Sequence, residues 1–497
     1  MMYSSTRDRS RRVTAAQAIA RGISEEGGLF VPEEFPSFGL EKLRGLMGKS
    51  YREKAKAVLG EFLTDFTPEE LSRCVDAAYT EEKFDSDSIA ELSKVGEGAY
   101  LLELWHGPTC AFKDMALQLL PHLLTVSAGK TEPDKEIVVL VATSGDTGKA
   151  ALEGFRDVPG TRMLVFYPED GVSPMQKLQM TTQEGENVSV CAIRGNFDDA
   201  QTGVKRIFTD PAILAELEQN GQKFSSANSI NWGRLAPQIV YYIAAYTALA
   251  EQGEIELGET VNVAVPTGNF GNILAAYYAK RMGLPIGKLI CASNRNRVLA
   301  DFIETGLYSR NREFYTTSSP SMDILISSNL ERLLYELCGR DDGKIREWFA
   351  GLNRDGEYRV PPELLEKLRE EFAGGSCGEE ETVETIRTAF REYGYLCDPH
   401  TAVAVKVWKD YAAETGDCRK TIIASTASPY KFTADVLRAV SDGEELPAGD
   451  FAQVRRLAEL TGTTPPASLL ALEGKPVRFA GSVSREEMAE QVRKMLR

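Results

Sequence analysis

Apolar positions over residues 1–95 recur at helical spacing, broken by one extended apolar piece, Gly28-Leu29-Phe30-Val31-Pro32, and the span closes on the charged stretch Glu81 to Ser88. This predicts an N-terminal unit of its own. Beyond it, short β-branched runs are each followed by a glycine-bearing turn and an apolar-periodic helix, the pattern of a parallel sheet with crossover helices. Two units show it best. Ile137 to Ala142 runs into Thr143-Ser144-Gly145-Asp146-Thr147-Gly148, and Val261 to Val265 runs into Pro266-Thr267-Gly268-Asn269-Phe270-Gly271-Asn272.

Polar connectors at Ala128 to Glu136 and Glu251 to Thr260 mark the edges of a smaller inserted domain. The predicted organisation is an N-terminal domain over 1–95, a large domain from 96–128 and 261–497, and a smaller domain over 129–260. Residues 339–392 are charged and helix-favouring, with Pro361-Pro362 as punctuation, and predict surface helices. A further strand, Thr421 to Ala424, leads into Ser425-Thr426-Ala427-Ser428-Pro429. The chain closes on a helix with a capping box, Ser484 with Glu487, whose stripe of Met488, Val492, Met495 and Leu496 reads as core packing.

Ile239 to Ala250 is the longest apolar-looking stretch, but Tyr241, Tyr242, Tyr246 and Thr247 interrupt it, and it falls short of the roughly 18 residues that a membrane span needs. The start, Met1 to Arg12, is rich in Arg and Ser without a secretory apolar core, so no cleaved signal is expected. A cytoplasmic protein without a membrane partner follows. With 57 Lys+Arg against 73 Asp+Glu the net charge is −16, so the molecule repels polyanions, and no nucleic-acid partner is expected. The eight cysteines show no zinc-knuckle or redox-pair spacing, and the three histidines no pairing at helical spacing, so no metal site is expected.

Candidate chemistry begins at His106-Gly107-Pro108-Thr109-Cys110-Ala111-Phe112-Lys113-Asp114. Gly-Pro makes a turn and Thr109 can cap the helix that follows, which puts Lys113 in its first turn. There the helix dipole and the apolar neighbours Phe112 and Met115 disfavour an ammonium ion, and a neutral lysine amine can attack an aldehyde to form a Schiff base. Taken alone, the segment reads first as an ordinary surface lysine beside Asp114.

The glycine turns change that balance, because backbone N–H groups at a helix N-terminus hold phosphate or carboxylate where small residues permit close approach. Gly268 to Asn272 offers this but matches neither G-x-G-x-x-G nor a Walker loop. Ser144 to Gly148 has Glu169 and Asp170 about 20 residues on, which leaves dinucleotide binding open there. Ser425-Thr426, at a strand end, offers a hydroxyl that can meet a ring nitrogen without protonating it, or simply cap the next helix.

Together with Gly27 to Pro32, Ser173-Pro174-Met175-Gln176-Lys177, Asn228 to Asn231, Ser328-Asn329-Leu330-Glu331-Arg332, Asp398-Pro399-His400 and Ser425 to Phe432, these segments resemble threonine synthase of the bacterial and fungal class, which has an extended N-terminal domain. The resemblance covers nearly the whole chain. It departs at Ser428, where that family often has His.

The resemblance implies an α/β fold of the tryptophan synthase β type: two open parallel-rich sheets flanked by helices, plus an N-terminal domain. It implies pyridoxal 5'-phosphate as cofactor and conversion of O-phospho-L-homoserine and water to L-threonine and phosphate by a lyase of threonine biosynthesis. Lys113 would hold the cofactor as a Schiff base and act as the base, Gly268, Asn269, Phe270, Gly271 and Asn272 would bind its phosphate, and Thr426 would face the pyridine nitrogen. Ser144, Asp146 and Thr147 are the expected hold on the substrate carboxylate, and Lys177 and Arg234 on its phosphate. His106 and His400 read as structural. A phospho-lyase giving 2-oxobutyrate, ammonia and phosphate, a dehydratase or cysteine-forming relative, a dehydrogenase and a catalytically silent homologue stay open, and the expected assembly is a monomer or homodimer.

Overall fold

The computed structural model describes residues 1–143, 145–170 and 172–496. Two sheets organise the chain. The larger has six strands in the order Phe372–Ser376, Ile286–Ser293, Val261–Pro266, Thr421–Ser425, Ala99–Glu103, Glu91–Lys94. All its neighbours run parallel except the last pair. The smaller has five parallel strands in the order Ser482–Val483, Val188–Ile193, Thr161–Pro168, Glu136–Ala142, Gln222–Ser225. Parallel strands need helical crossovers and are covered on both faces, which is why the β-branched runs were nearly continuous rather than alternating.

A three-stranded antiparallel sheet, Arg12–Val13, Tyr3–Ser5 and Phe30–Pro32, anchors the N-terminal region. Three of its helices start on capping boxes, Thr14 with Gln17, Ser50 with Glu53 and Thr67 with Glu70. One apolar cluster runs from this region through the large sheet and into one face of the smaller.

The apolar stretch at 239–250 belongs to a 20-residue helix, Trp232–Glu251, buried along nearly its whole length. Its tyrosines have work inside: Tyr241 donates to Gln238 Oε1 at 3.0 Å, Tyr246 to the Glu259 carbonyl at 2.9 Å, and Tyr242 to Asn272 Oδ1. Among the described residues no helix is long and apolar enough to cross a membrane.

Three placements differ from the pattern reading. Within the stretch expected to give only surface helices, Phe372–Ser376 is an edge strand of the large sheet. Two glycines hid it: a Cβ on Gly374 would lie 3.0 Å from Ala300 Cα, and one on Gly375 would lie 2.6 Å from Val407 Cγ1. The two-residue strand Ser482–Val483 carries no readable period, yet it pairs with Val188–Ile193, so the chain end joins the smaller sheet rather than the large domain. Met488 then packs against Gly203 there. Glu91–Lys94, drawn inside the N-terminal unit, is the antiparallel edge of the large sheet.

Candidate active site

Three segments meet at the carboxyl ends of the parallel strands, where open α/β sheets place their ligands. The first is the turn before Lys113. Thr109 does not cap the helix; its N–H and its hydroxyl both donate to the Asp114 carboxylate, each at 2.8 Å. Lys113 therefore stands just ahead of helix Asp114–Leu117. Gly107 is needed for this closure, since a Cβ there would lie 2.6 Å from Asp114. Residues 110–112 run beside 426–428: Phe112 N–H donates to the Thr426 carbonyl at 2.8 Å and Ser428 N–H to the Cys110 carbonyl at 3.0 Å. Thr426 and Lys113 are thereby brought to one place. The Ser425 hydroxyl behind them accepts from Trp105 Nε1 at 3.1 Å.

The Lys113 side chain is 11% exposed, with Nζ 3.7 Å from Asp146 Oδ2, 3.4 Å from Ser321 Oγ and over the Phe112 ring. Burial pushes its pKa down; Asp146 opposes this, while Lys431 and Arg234 add to it.

Asp146 opens helix Asp146–Phe155 at the end of strand Glu136–Ala142. Thr143 staples the turn, its hydroxyl accepting from Gly145 N–H at 3.0 Å and Gly148 N–H at 2.9 Å. Gly145 has φ +135°, and a Cβ on it would meet Gln176 at 2.5 Å. Asp146 Oδ1 accepts from Lys431 Nζ at 2.6 Å and Gln176 Nε2 at 2.9 Å. Burial opposes the charge, but Lys431 and Lys113 hold the carboxyl far below the usual carboxylate range. This side chain faces cations, so any hold on a carboxylate here falls to the backbone of Asp146 and half-buried Thr147. Ser144 lies outside the described residues.

The second turn is uncharged. The Gly268 carbonyl accepts from Ser327 Oγ at 2.8 Å, and the Asn269 carbonyl accepts from both N–H and Nδ2 of Asn329, each at 3.1 Å. Phe270, at φ +63°, caps helix Gly271–Arg281, whose first N–H groups have no partners within the helix. Gly268 packs so closely that a Cβ would lie 2.6 Å from the Ser321 carbonyl oxygen. Asn272 Oδ1 is held by Tyr242, while its buried Nδ2 has no partner among the described residues. An oxyanion at this helix start satisfies both needs.

Arg234 is buried, donates to the Ala227 carbonyl at 2.6 Å and leaves Nε unpartnered among the described residues. Burial lowers its pKa to about 10. Lys177 is half-buried, with Nζ 3.3 Å from the Glu169 carbonyl. His400 has a use that its helix-start position did not suggest. Its Nδ1 sits 2.6 Å from Asp398 and its Nε2 accepts from Ser321 N–H at 3.2 Å, which fixes the residue that faces Lys113. His106 bridges Asp85 at 2.7 Å and Glu103 at 2.8 Å. With both ring nitrogens engaged, it does not offer a free ligand to the neighbouring Glu91–Glu103 carboxylates. Sequence reasoning missed Lys431, Ser321 and Gln176; the signal for Lys431 was a lysine set among Pro429, Tyr430 and Phe432.

A buried lysine amine and a glycine-rich helix start, both following strands of the larger sheet and both packed against Ser321, define a class, and the pyridoxal-phosphate dependent enzyme family model matches residues 85–425. Models for the threonine synthase N terminus and C-terminal region match residues 2–79 and 401–466. Threonine synthase of Pseudomonas aeruginosa is 37% identical, over 90% of this chain and 92% of that protein. Human threonine synthase-like 1 is 42% identical over 86% of this chain, which spans only 58% of that longer protein. Among solved structures, pyridoxal-phosphate-bound threonine synthase from Brucella melitensis superposes with a TM-score of 0.86 at 37% identity, covering 100% of both chains. The yeast threonine synthase structure gives 0.88 at 33% identity, over 100% of this chain and 98% of that one. The chain belongs to the threonine synthase family of pyridoxal-phosphate-dependent enzymes.

Proposed function

We propose that the protein converts O-phospho-L-homoserine and water to L-threonine and phosphate. The observation that carries this reading is the convergence on Ser321 of Lys113 and the neutral turn at Gly268, with the charged turn at Asp146 beside the same lysine, in a chain that spans 92% of a curated threonine synthase. The donor set fits pyridoxal phosphate: an amine biased toward its neutral form, a buried Asn272 Nδ2 at a helix start with no partner among the described residues, and a hydroxyl at Thr426 rather than a carboxylate. The bound cofactor supplies the electron sink that makes the substrate's α and β protons removable.

The chain's residues supply the rest. Lys113 Nζ accepts the α proton and returns it, a task suited to an amine whose ammonium form is disfavoured by burial. Thr426 would offer the ring nitrogen a hydroxyl rather than a carboxylate, which would favour elimination and replacement over transamination. The backbone N–H groups of Asp146 and Thr147 orient the substrate carboxylate, and Arg234 and Lys177 attract its phosphate.

The test is to incubate the protein with pyridoxal phosphate and O-phospho-L-homoserine and identify the product released with phosphate. Threonine is expected. 2-Oxobutyrate with ammonia would keep the site and assign a phospho-lyase instead, and no turnover at all would overturn both. Ser428 does not itself favour the lyase: its hydroxyl accepts from Tyr430 N–H and caps the turn that carries Lys431.

A further inference from the structure

We propose that Lys431 is a positioning residue whose buried ammonium balances the Asp146 carboxylate, so that Asp146 orients Lys113 without locking it as an ammonium ion. The inference rests on the reading of Lys113 as the Schiff-base lysine. Lys431 lies in the turn Pro429–Phe432 after large-sheet strand Thr421–Ser425, with a side chain that is 0% exposed. Its Nζ is 2.6 Å from Asp146 Oδ1 and 2.9 Å from the Thr109 carbonyl. Asp146 opens a helix of the smaller sheet, so this ion pair joins the two sheets at the site itself.

The distances decide which lysine owns the carboxylate. Lys431 sits at full hydrogen-bond contact, whereas Lys113, at 3.7 Å from the other oxygen, lies beyond a firm hydrogen bond. Without Lys431, a lone buried Lys113–Asp146 pair would favour the protonated amine, because an opposite charge at this range in a water-poor site stabilises the charged form. With it, Lys113 faces a neutral pair. The charges that act on Lys113 are Asp146 from the smaller sheet's helix, Lys431 from the turn and Arg234 from the long buried helix, while Asp114, next in the chain, turns its carboxylate to Thr109. Ser321, backed by His400, contributes only a hydroxyl. Gln176 donates to Asp146 from the remaining side. Burying two charges is a poor way to gain stability, so an all-buried pair at this point is better explained by what it does to the third group.

The test reads the protonation of Lys113 directly. The full chain, freed of cofactor, is mixed with pyridoxal phosphate for a short time at a series of pH values. The amine nitrogen forms C=N with the aldehyde carbon, the carbonyl oxygen leaves as water, and borohydride then reduces C=N by hydride transfer. The initial rate of label on the Lys113 peptide gives a pH midpoint. Lys431→Met should raise that midpoint by about one unit or more, and Lys431→Arg, which keeps the charge, should restore it. If Lys431→Met does not fold, the electrically balanced double variant Asp146→Asn/Lys431→Met is compared with Asp146→Asn alone. The double variant should then have the higher midpoint. An unchanged midpoint in the comparison that folds would overturn the role of Lys431. Absence of any label on wild-type Lys113 would instead overturn the Schiff-base reading, so the two failures are distinct.

Discussion

The turns at 143–148 and 266–272 share one plan, a buried parallel strand, a glycine-bearing bend and a helix, and yet they are electrically opposite. The first ends in Asp146, a carboxylate that draws Lys431, Lys113 and Gln176 onto itself. The second carries no charge: its carbonyls are held from behind by Ser327 and Asn329, and what remains at the helix start is N–H groups and Asn272 Nδ2. In one turn the Asp146 side chain attracts cations and bears on the amine of Lys113; the other leaves only uncharged donors at its helix start. Both strand–turn–helix units present backbone donors at a helix start, and Asp146 at the first helical position of one adds a hold on cations that Gly271 in the other does not.

The sharpest way to break this division is at the residue both turns face. Lys113→Ala should lower turnover by about 10³-fold or more, since it removes the proton-accepting amine, while leaving the 268–272 cradle intact. Steady-state kinetics beside a cofactor-binding titration checks it. Near-wild-type turnover would mean that the two turns do not converge on a catalytic amine.

A smaller effect separates the turns from each other. Gly268→Ala places a methyl 2.6 Å from the Ser321 carbonyl oxygen, which backbone must yield, and about 1–3 kcal/mol of overpacking should weaken cofactor affinity by about 5- to 150-fold. Gly145→Ala instead strains a φ of +135° and displaces Gln176, so it should move the pH midpoint of Lys113 labelling more than it moves cofactor affinity. Equal losses of affinity in the two variants would show that the turns act as one site without the division argued above.

Much of this is legible in the sequence, and the part that is not has a physical pattern. Periodicity located both strand–turn–helix units, because buried parallel strands are nearly continuous apolar runs. The extended piece near Phe30 proved to be a strand of the N-terminal sheet. Phe372–Ser376 escaped because Gly374 and Gly375 are there for close packing, which leaves no side-chain alternation to read. The charge set around Lys113 escaped for a different reason. Ser321 is 208 positions from Lys113, and Lys431 is 322 from its partner Thr109, so no local spacing relates them. Lys177 and Arg234 looked equivalent as cations in similar segments, but helix Trp232–Glu251 buries Arg234, whereas Lys177 reaches back to the Glu169 carbonyl. Burial, which a lone sequence does not print, made the difference.

The weakest expected effect on catalysis comes from His106, which lies seven residues from Lys113 and touches neither turn. Burial opposes its charge, but hydrogen bonds to Asp85 and Glu103 raise its pKa from 6.5 to about 9. A folded-state pKa above the unfolded value means that this stabilisation is fully present below pH 6.5 and is lost as pH rises through 9. His106→Gln should therefore lower stability by about 1–3 kcal/mol at pH 6, discounted for the exposed Asp85 partner, with the deficit shrinking as pH approaches 9.5. Urea unfolding at the two pH values measures it, and the Lys113 labelling midpoint should stay where it is. A deficit that is constant across pH would mean that His106 acts through packing on Trp105 rather than through its charge. A shifted midpoint would mean that the charged turn's influence extends past Asp114, and the two-turn division would need a third member.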